Sequence, residues 1–350
     1  MRIAQVAPLF ESVPPKFYGG TERVVSYLTE ELVAQGHSVT LYASGDSHTR
    51  ATLRPMAPRS LRLDPSCVAP LAHHVLMLEH VFAEAGNFDL IHFHVDYLHF
   101  AYTRRLPVPH LTTLHGRLDL PDLVPLYREF DDVPLASISD RQRLPLLWAN
   151  WQGTVYHGLP PGLLPFSPGP GRYLAFLGRI SPEKRVDRAI EVARRAGLPL
   201  RIAAKVDAAD LAYFEQEIEP LLAQPHVEFI GEIGDADKAA FLGGAMALLF
   251  LIDWEEPFGL AMIESLACGT PVIAWRHGSV PEVIENGVDG FVVDSLEEAV
   301  AAVEAIASID RAACRQAFER RFTAEAMARN YLRIYRHLQR TPELADSVGN

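Results

Sequence analysis

The feature that most constrains this chain is a repeated alternation. Short apolar runs rich in β-branched residues are separated by longer stretches with helical periodicity, and the whole pattern occurs twice. RIAQVAP (2–8) reads as a buried strand. TERVVSYLTEELVAQG (21–36) follows as a helix, with Val24, Val25, Leu28 and Leu32 on one face and Gly36 as its stop. SVTLYAS (38–44), DLIHFH (89–94), HLTTLH (110–115), LASIS (135–139) and TVYHG (154–158) read as further strands. Near-continuous apolar strands alternating with helices predict a parallel sheet covered on both faces.

The pattern stops at GLPPGLLPFSPGPG (158–171), which is dense in Pro and Gly, has no periodicity and reads as an interdomain linker. It then restarts. YLAFLG (173–178), LRIAAKV (200–206), VEFIG (227–231), ALLFLI (247–252), PVIAW (271–275) and GFVVD (290–294) are expected strands, with a helix at 186–197 ended by Gly197. A length of 350 residues suits two domains, and 49% hydrophobic residues suffice for two cores. The expectation is two doubly wound α/β units in series, with ligands beyond the carboxyl ends of their strands. FTAEAMARNYLRIYRHL (322–338) carries Met327, Tyr331, Ile334 and Leu338 on one helical face, with no strand after it, so it need not belong to the second sheet. The last residues, PELADSVGN, are expected to fray. No internal repeat is evident.

A net charge of -12 disfavours a nucleic-acid partner, since phosphate neutralisation needs a basic face, and disfavours a polybasic grip on anionic lipid. The Arg-rich stretch RATLRPMAPRSLR (50–62) is a local exception and reads as a solvated loop. Cys67, Cys268 and Cys314 are odd in number and scattered, which fits packed thiols in a reducing compartment. No signal peptide is read at the N-terminus, and no apolar run approaches the ~18–20 residues that span a bilayer. The expectation is a soluble, cytoplasmic protein without an integral membrane segment. Its oligomeric state is not readable.

Two stretches carry candidate chemistry. In FLGRISPEKR (176–185) a strand ends and two cations follow, Arg179 and Lys184. Ser181-Pro182-Glu183 resembles a helix start with Ser181 as N-cap. Cations at a strand end near a helix N-terminus can seat phosphate, or can simply be surface charges near a turn. In WEEPFGLAMIES (254–265) Glu256 lies in the loop ahead of a helix and Glu264 within it. Gly259 lets a ligand approach the first free helix amides, which favour anions. Carboxylates beside such a site bond well to hydroxyls, so a ligand with phosphates at one end and hydroxyls elsewhere would suit, as a nucleotide-sugar does. Alternatively Glu256 only complements a helix dipole and Glu264 faces solvent.

GRISPEK followed by EPFGLAMIE resembles the retaining, GT-B glycosyltransferases of family 4 (glycosyl transferases group 1), whose mark of Glu, seven residues and Glu fits Glu256 and Glu264. CGTPVIAWRHGSVPEVIENGVDGF (268–291) and YGGTER (18–23) match as well, so the resemblance spans nearly the whole chain. It implies two Rossmann-like domains facing a central cleft. Residues 1–165 would form the acceptor-side domain, joined by a crossover helix at 322–340, and 166–321 the nucleotide-sugar domain. The implied activity is transfer of a hexose from a nucleoside-diphosphate sugar, of UDP-glucose or GDP-mannose type, to an acceptor hydroxyl. No metal or other cofactor is implied, and the acceptor would be a small molecule, glycan or lipid.

The resemblance also implies roles. Arg179 and Lys184 would hold the diphosphate, Glu264 the ribose hydroxyls, and Glu256 would face the transferred sugar beside the amides of Phe258, Gly259 and Leu260. Gly19 and Gly20 would close on the phosphates, His115 would sit beside the reacting sugar, and Glu232 and Ile233 would flank the base. Two departures stand out. His157 and Pro160 in YHGLP replace a family Asn-Gly then Asp, and AAKV puts Lys205 where a Gly is usual. Lys205 is either a third cation for the phosphates or a solvated lysine. DAD (235–237) resembles an Asp-x-Asp metal motif but precedes KAAFL, so helix capping is the better reading.

Rival readings remain. His92, His94 and Asp96 would share one face of a strand, as in a binuclear metallohydrolase. A nucleotide-sugar epimerase or hydrolase would keep fold and donor without transfer to an acceptor, and a sugar-nucleotide sensor would keep only binding.

Overall fold

A computed structural model describes residues 1–16, 19–106 and 108–340. The chain divides into two compact units, each built on one sheet. The first comprises Met1–Ile138, Arg143–Tyr156 and the chain from Ala324. The second comprises Ser139–Gln142 and His157–Thr323.

In the first unit the strands are β1 (Arg2–Val6), β2 (Ser38–Ser44), β3 (Thr52–Ala57), β4 (Leu90–Phe93), β5 (His110–Thr113), β6 (Leu135–Ser137) and β7 (Trp151–Thr154), in the order β3-β2-β1-β4-β5-β6-β7. Every neighbouring pair is parallel. Both faces are covered, as continuous apolar strands require. On one, Ala4, Val6, Ile91 and Phe93 pack with Met77, Leu78 and Val81 of the helix Pro70–Ala83. Elsewhere Leu41 and Ala43 pack with Val25 of the helix Gly20–Ala34. Val24, Val25, Leu28 and Leu32 of that helix are fully buried, each worth roughly 1.5–3 kcal/mol.

The second unit repeats the plan with β8 (Tyr173–Ile180), β9 (Leu200–Val206), β10 (Val227–Gly231), β11 (Ala245–Phe250), β12 (Val272–Trp275) and β13 (Gly290–Val293), in the order β10-β9-β8-β11-β12-β13, again all parallel. The helix Val186–Ala196 ends at Gly197, whose φ of 66° is left-handed.

Several expectations need correction. The stretch 50–62 is not a solvated loop: it contains β3, an edge strand, followed by one 3-10 turn at Leu61–Leu63. Pro55 and Arg54 hid it, and an edge position tolerates both because only one side of the strand is paired. Arg50 pairs with Glu30, Arg54 with Glu84 and Arg62 with Glu11. The last strand of the first sheet starts earlier than TVYHG suggested, at Trp151, and ends at Thr154. The Pro/Gly stretch 158–171 is not a free linker but belongs to the second unit. Leu159 and Leu164 are buried, Ser167 N–H donates to the Cys268 carbonyl, and Arg315 donates to the carbonyls of Pro161 and Leu164.

Ser181 does not cap an α-helix. It precedes a single 3-10 turn, Pro182–Lys184, and the helix starts only after Arg185 in a left-handed conformation. Asp235 and Asp237 lie in the first turn of the helix Asp235–Gly243, whose N-cap is Gly234. They complement the helix dipole and do not cap it.

The terminal helix runs Ala324–Arg340 and packs in the first unit, with Met327, Tyr331 and Ile334 buried and Leu338 partly so. PELADSVGN lies outside the described residues. Cys67 is half-buried, Cys268 and Cys314 are buried, and all three are free thiols.

Candidate active site

In the second unit the expected cations emerge at strand ends. Arg179 on β8 and Lys205 on β9 are direct neighbours across the parallel ladder. The two share a carboxylate. Lys205 Nζ lies 2.7 Å from Asp207, and Arg179 reaches Glu183 at 2.7 Å, Asp210 at 3.4 Å and Asp207 at 3.6 Å. Any anion seated by Arg179 therefore competes with three acids. Burial acts to raise the pKa of Glu183, but hydrogen bonds and Arg179 outweigh it and hold this carboxyl below its ordinary range.

Lys184, on the 3-10 turn, donates to Glu256 Oε2, and the Trp254 indole N–H donates to the same oxygen at 3.0 Å. The ammonium also lies 4.9 Å from the Trp254 ring centroid. The loop carrying Glu256 is held at several points. Asp253 N–H donates to the Glu183 carbonyl, Ser279 N–H to the Glu256 carbonyl, and Ser279 Oγ to the Phe258 carbonyl. Gly278 makes this possible: with φ at 53°, a Cβ there would come within 2.3 Å of the backbone N and O of Glu256.

Gly259, at φ 81°, is the N-cap of the helix Leu260–Ala267, which begins as expected and carries Glu264. Glu264 is 4% exposed, so it does not face solvent. Its Oε1 accepts from Lys238 Nζ at 2.6 Å. In the sequence Lys238 is only the first residue of KAAFL and carries no expected site role. It stands 26 residues before Glu264 on another helix, and no local signal links the two. Gly278 was likewise not singled out. Phe258 packs its ring into the core beside His157, centroids 4.8 Å apart, and Phe322, so its side chain does not face a ligand. Glu232 is exposed and Ile233 half-buried just after β10.

In the first unit, Gly19 precedes and Gly20 opens the helix Gly20–Ala34. A Cβ on Gly19 would lie 2.8 Å from Pro15 Cβ. His115 follows β5, and its Nε2 lies 2.9 Å from His94 Nδ1. Burial pushes the His115 imidazole down to about 3, so the ring is neutral.

The grouping of His92, His94 and Asp96 does not hold. β4 ends at Phe93, and Asp96 lies beyond it in a left-handed turn, so the three share no strand face. Both ring nitrogens of His92 and of His94 are engaged in hydrogen bonds, which leaves no lone pair for a metal. Among the described residues no three His, Cys, Asp or Glu side chains converge as a metal would need.

Comparison with known proteins sets these residues in context. The model for glycosyltransferase family 4 matches residues 18–152, and the model for glycosyl transferases group 1 matches 166–321. The chain belongs to the family 4 glycosyltransferases. Relatives of this family 4 glycosyltransferase include a D-inositol 3-phosphate glycosyltransferase of Mycolicibacterium smegmatis, 32% identical over 35% of this chain and 29% of that protein. Another is an N-acetyl-alpha-D-glucosaminyl L-malate synthase of Bacillus anthracis, 31% identical over 33% of this chain and 31% of that protein. The chain thus spans about a third of the length of these curated relatives.

Among solved structures, a sucrose-phosphate synthase from Thermosynechococcus elongatus aligns at TM-score 0.77 and 19% identity, covering 97% of this chain and 99% of that one. Anabaena HepE in complex with UDP-glucose aligns at TM-score 0.71 and 16% identity, covering 96% and 100%. Identities this low establish the fold, which is GT-B. No helix among the described residues of this glycosyltransferase is long and apolar enough to cross a membrane.

Proposed function

We propose that this family 4 glycosyltransferase moves a hexose from a nucleoside-diphosphate sugar to an acceptor hydroxyl, with retention of anomeric configuration and without a metal. The observation that carries this reading is the pairing of both family acids with lysines, Glu256 with Lys184 and Glu264 with Lys238, in the unit matched by the group 1 model. Each pair occupies one carboxylate oxygen and leaves the other for a hydroxyl.

Lys184 keeps two further N–H donors when one is spent on Glu256, enough to hold a phosphate oxygen. Breaking the sugar–phosphate bond leaves negative charge on the diphosphate and positive character on the ring. Lys184, Arg179 and Lys205 stabilise the first, and Glu256 faces the second with the amides of Phe258, Gly259 and Leu260 beside it. Glu264 takes ribose hydroxyls, and Glu232 and Ile233 flank the base. Fixed cations of this kind do the work a metal does elsewhere.

UDP-glucose is the donor favoured here, with GDP-mannose next. HepE was solved with UDP-glucose, while a GDP-mannose-dependent mannosyltransferase of Mycobacterium tuberculosis is 33% identical over 39% of this chain. The test is a thermal-shift screen of nucleotide-sugars. The stabilising donor is then incubated with acceptor pools, with and without EDTA, and the product anomer is assigned by NMR. Transfer insensitive to EDTA, with the donor's anomeric configuration kept, is expected. Free sugar or an epimerised nucleotide as sole product would replace transfer with hydrolysis or epimerisation.

A further inference from the structure

The helix Pro70–Ala83 in the first unit is apolar on both sides. His74, Met77, Leu78 and Val81 are buried on its inner face. The opposite face carries Leu71, Ala72, Val75 and Leu76, all exposed, and Val68 stands 93% exposed just ahead of the helix. Spacings of three and four residues put these side chains in one stripe over the first two turns. The other long helices turn charge outward instead. The helix Val186–Ala196 exposes Arg194 and Arg195, and the terminal helix exposes Glu325, Arg329 and Arg333. A helix that is apolar all round is normally covered on both sides. With the neighbouring Phe10, whose ring lies 4.9 Å from that of His74, the stripe exposes on the order of 600 Å² of apolar surface, the upper limit for the largest patch on a typical monomer.

The charges around the stripe say what covers it. Arg54 pairs with Glu84, just past the end of the helix, and Arg62 pairs with Glu11. Asp64 accepts from the Ser66 hydroxyl and N–H, and with Arg59 and His73 nearby it is held below its ordinary carboxylate range. These balances leave little positive charge for phospholipid headgroups, and a net charge of -12 opposes approach to an anionic leaflet. An apolar stripe is complementary to itself, as a two-fold contact between identical chains requires.

We propose that this face is the contact of a homodimer, in which two copies of the helix Pro70–Ala83 pack antiparallel across a two-fold axis centred between residues 73 and 74. Leu71 then meets Leu76 of the partner subunit, and Ala72 meets the partner's Val75. A small residue facing a larger one lets the helices approach to about 8–10 Å. Glu79, the helix's single carboxylate, comes to lie beside the amino end of the partner's helix, where negative charge is favoured. A parallel pair would set the two copies of Glu79 against each other. The two faces together bury about 1,200 Å², the lower end for specific interfaces, so dimer and monomer exchange with concentration. None of this depends on the transfer reading above.

The experiment is sedimentation velocity on the full chain from about 1 to 200 μM, with wild type, Leu71→Lys and Leu76→Glu. Wild type should pass from monomer to dimer across this range. Each variant should weaken dimerisation by on the order of a hundredfold or more, because the two-fold axis buries its unpaired charge twice. Mixed in equal amounts, the two variants should recover a heterodimer. In it the new lysine meets the new glutamate at one crossing, and Leu76 meets Leu71 at the other. Both positions are exposed, so circular dichroism and Tm should match wild type. If either variant fails to fold, Ala72→Arg with Val75→Glu forms the equivalent pair.

A wild type that stays monomeric throughout overturns the proposal. So does a dimer that survives both single variants, since it would be made through another face. Variants that dissociate but do not pair with each other overturn the antiparallel register. Phosphatidylcholine vesicles with and without phosphatidylserine complete the test. A monomer that binds them and is released by either substitution would assign the face to lipid and overturn the dimer.

Discussion

Lys238 donates to Glu264 Oε1 across 2.6 Å, from a helix on which it is 13% exposed to a carboxylate side chain that is 5% exposed. Removing one partner of so withdrawn a pair leaves the other charge without compensation. Lys238→Met should lower unfolding free energy by about 1–3 kcal/mol and weaken nucleotide binding, because Glu264 is no longer held. The double variant Lys238→Met/Glu264→Gln should recover much of the stability but not the binding. Urea denaturation and calorimetric titration with nucleoside diphosphate check both. A single variant as stable as wild type would show that the pair is incidental.

Glu256 and Lys184 should separate sugar from phosphate. Glu256→Gln is expected to lose turnover by ~10²–10³ while keeping nucleotide affinity. Lys184→Ala should weaken nucleotide affinity. Because Lys184 bonds Glu256 directly, its loss should also lower turnover, so only the affinity term discriminates. Steady-state rates beside binding titrations read this out. The opposite pattern would mean the sugar and phosphate ends have been exchanged.

Gly278 and Gly197 both have positive φ but differ in surroundings. A Cβ on Gly278 meets the Glu256 backbone at 2.3 Å, whereas nothing lies within 4 Å of a Cβ on Gly197. Gly197→Ala should therefore cost only the backbone term, about 1 kcal/mol, with activity intact. Gly278→Ala should cost more and also displace Glu256, lowering kcat. Equal effects in thermal unfolding and in activity would remove the claim that Gly278 seats the Glu256 loop.

Asp289 is fully buried and accepts from the Glu285 N–H at 2.8 Å, and burial pushes its carboxyl up to about 6. A raised carboxyl holds its proton in the folded state after the unfolded chain has released it. Its contribution to stability is therefore complete below about pH 4 and is lost as pH rises through about 6, by at most roughly 3 kcal/mol. In Asp289→Asn this decline should be absent, so the variant gains relative to wild type between about pH 4 and 7. Parallel pH–stability curves for the two proteins would contradict it.

Periodicity and punctuation made most elements legible. β2, β9 and β10 coincide with their expected spans, and Val24, Val25, Leu28 and Leu32 lie on the buried helical face they were assigned. β3 and β7, at the two margins of the first sheet, were missed or misplaced, and the central β11 starts at Ala245, two residues before its expected span. β3 carries Arg54 and Pro55 because an edge strand is paired on one side only, and such a strand lacks the apolar continuity by which a central one is recognised. The Pro/Gly stretch at 158–171 looked like a linker because composition reports the lack of regular structure, not whether a segment such as Leu159–Leu164 packs against its neighbours.

What the sequence determined by itself was local or motif-borne. It gave away the two runs of strands and helices, the spacing that places Glu256 in a loop and Glu264 on a helix, and the resemblance that names the family. Which charges meet was decided only by tertiary structure. Asp207 is shared by Arg179 and Lys205, Lys238 reaches Glu264 from another helix, and a chain of hydrogen bonds from His115 to Tyr331 joins three strands to a helix more than two hundred residues further on. The reason is physical. Helical and strand periodicity are set by near neighbours along the backbone, whereas ion pairs and buried hydrogen bonds depend on distances of about 3 Å between side chains that the packing of sheets and helices alone brings together.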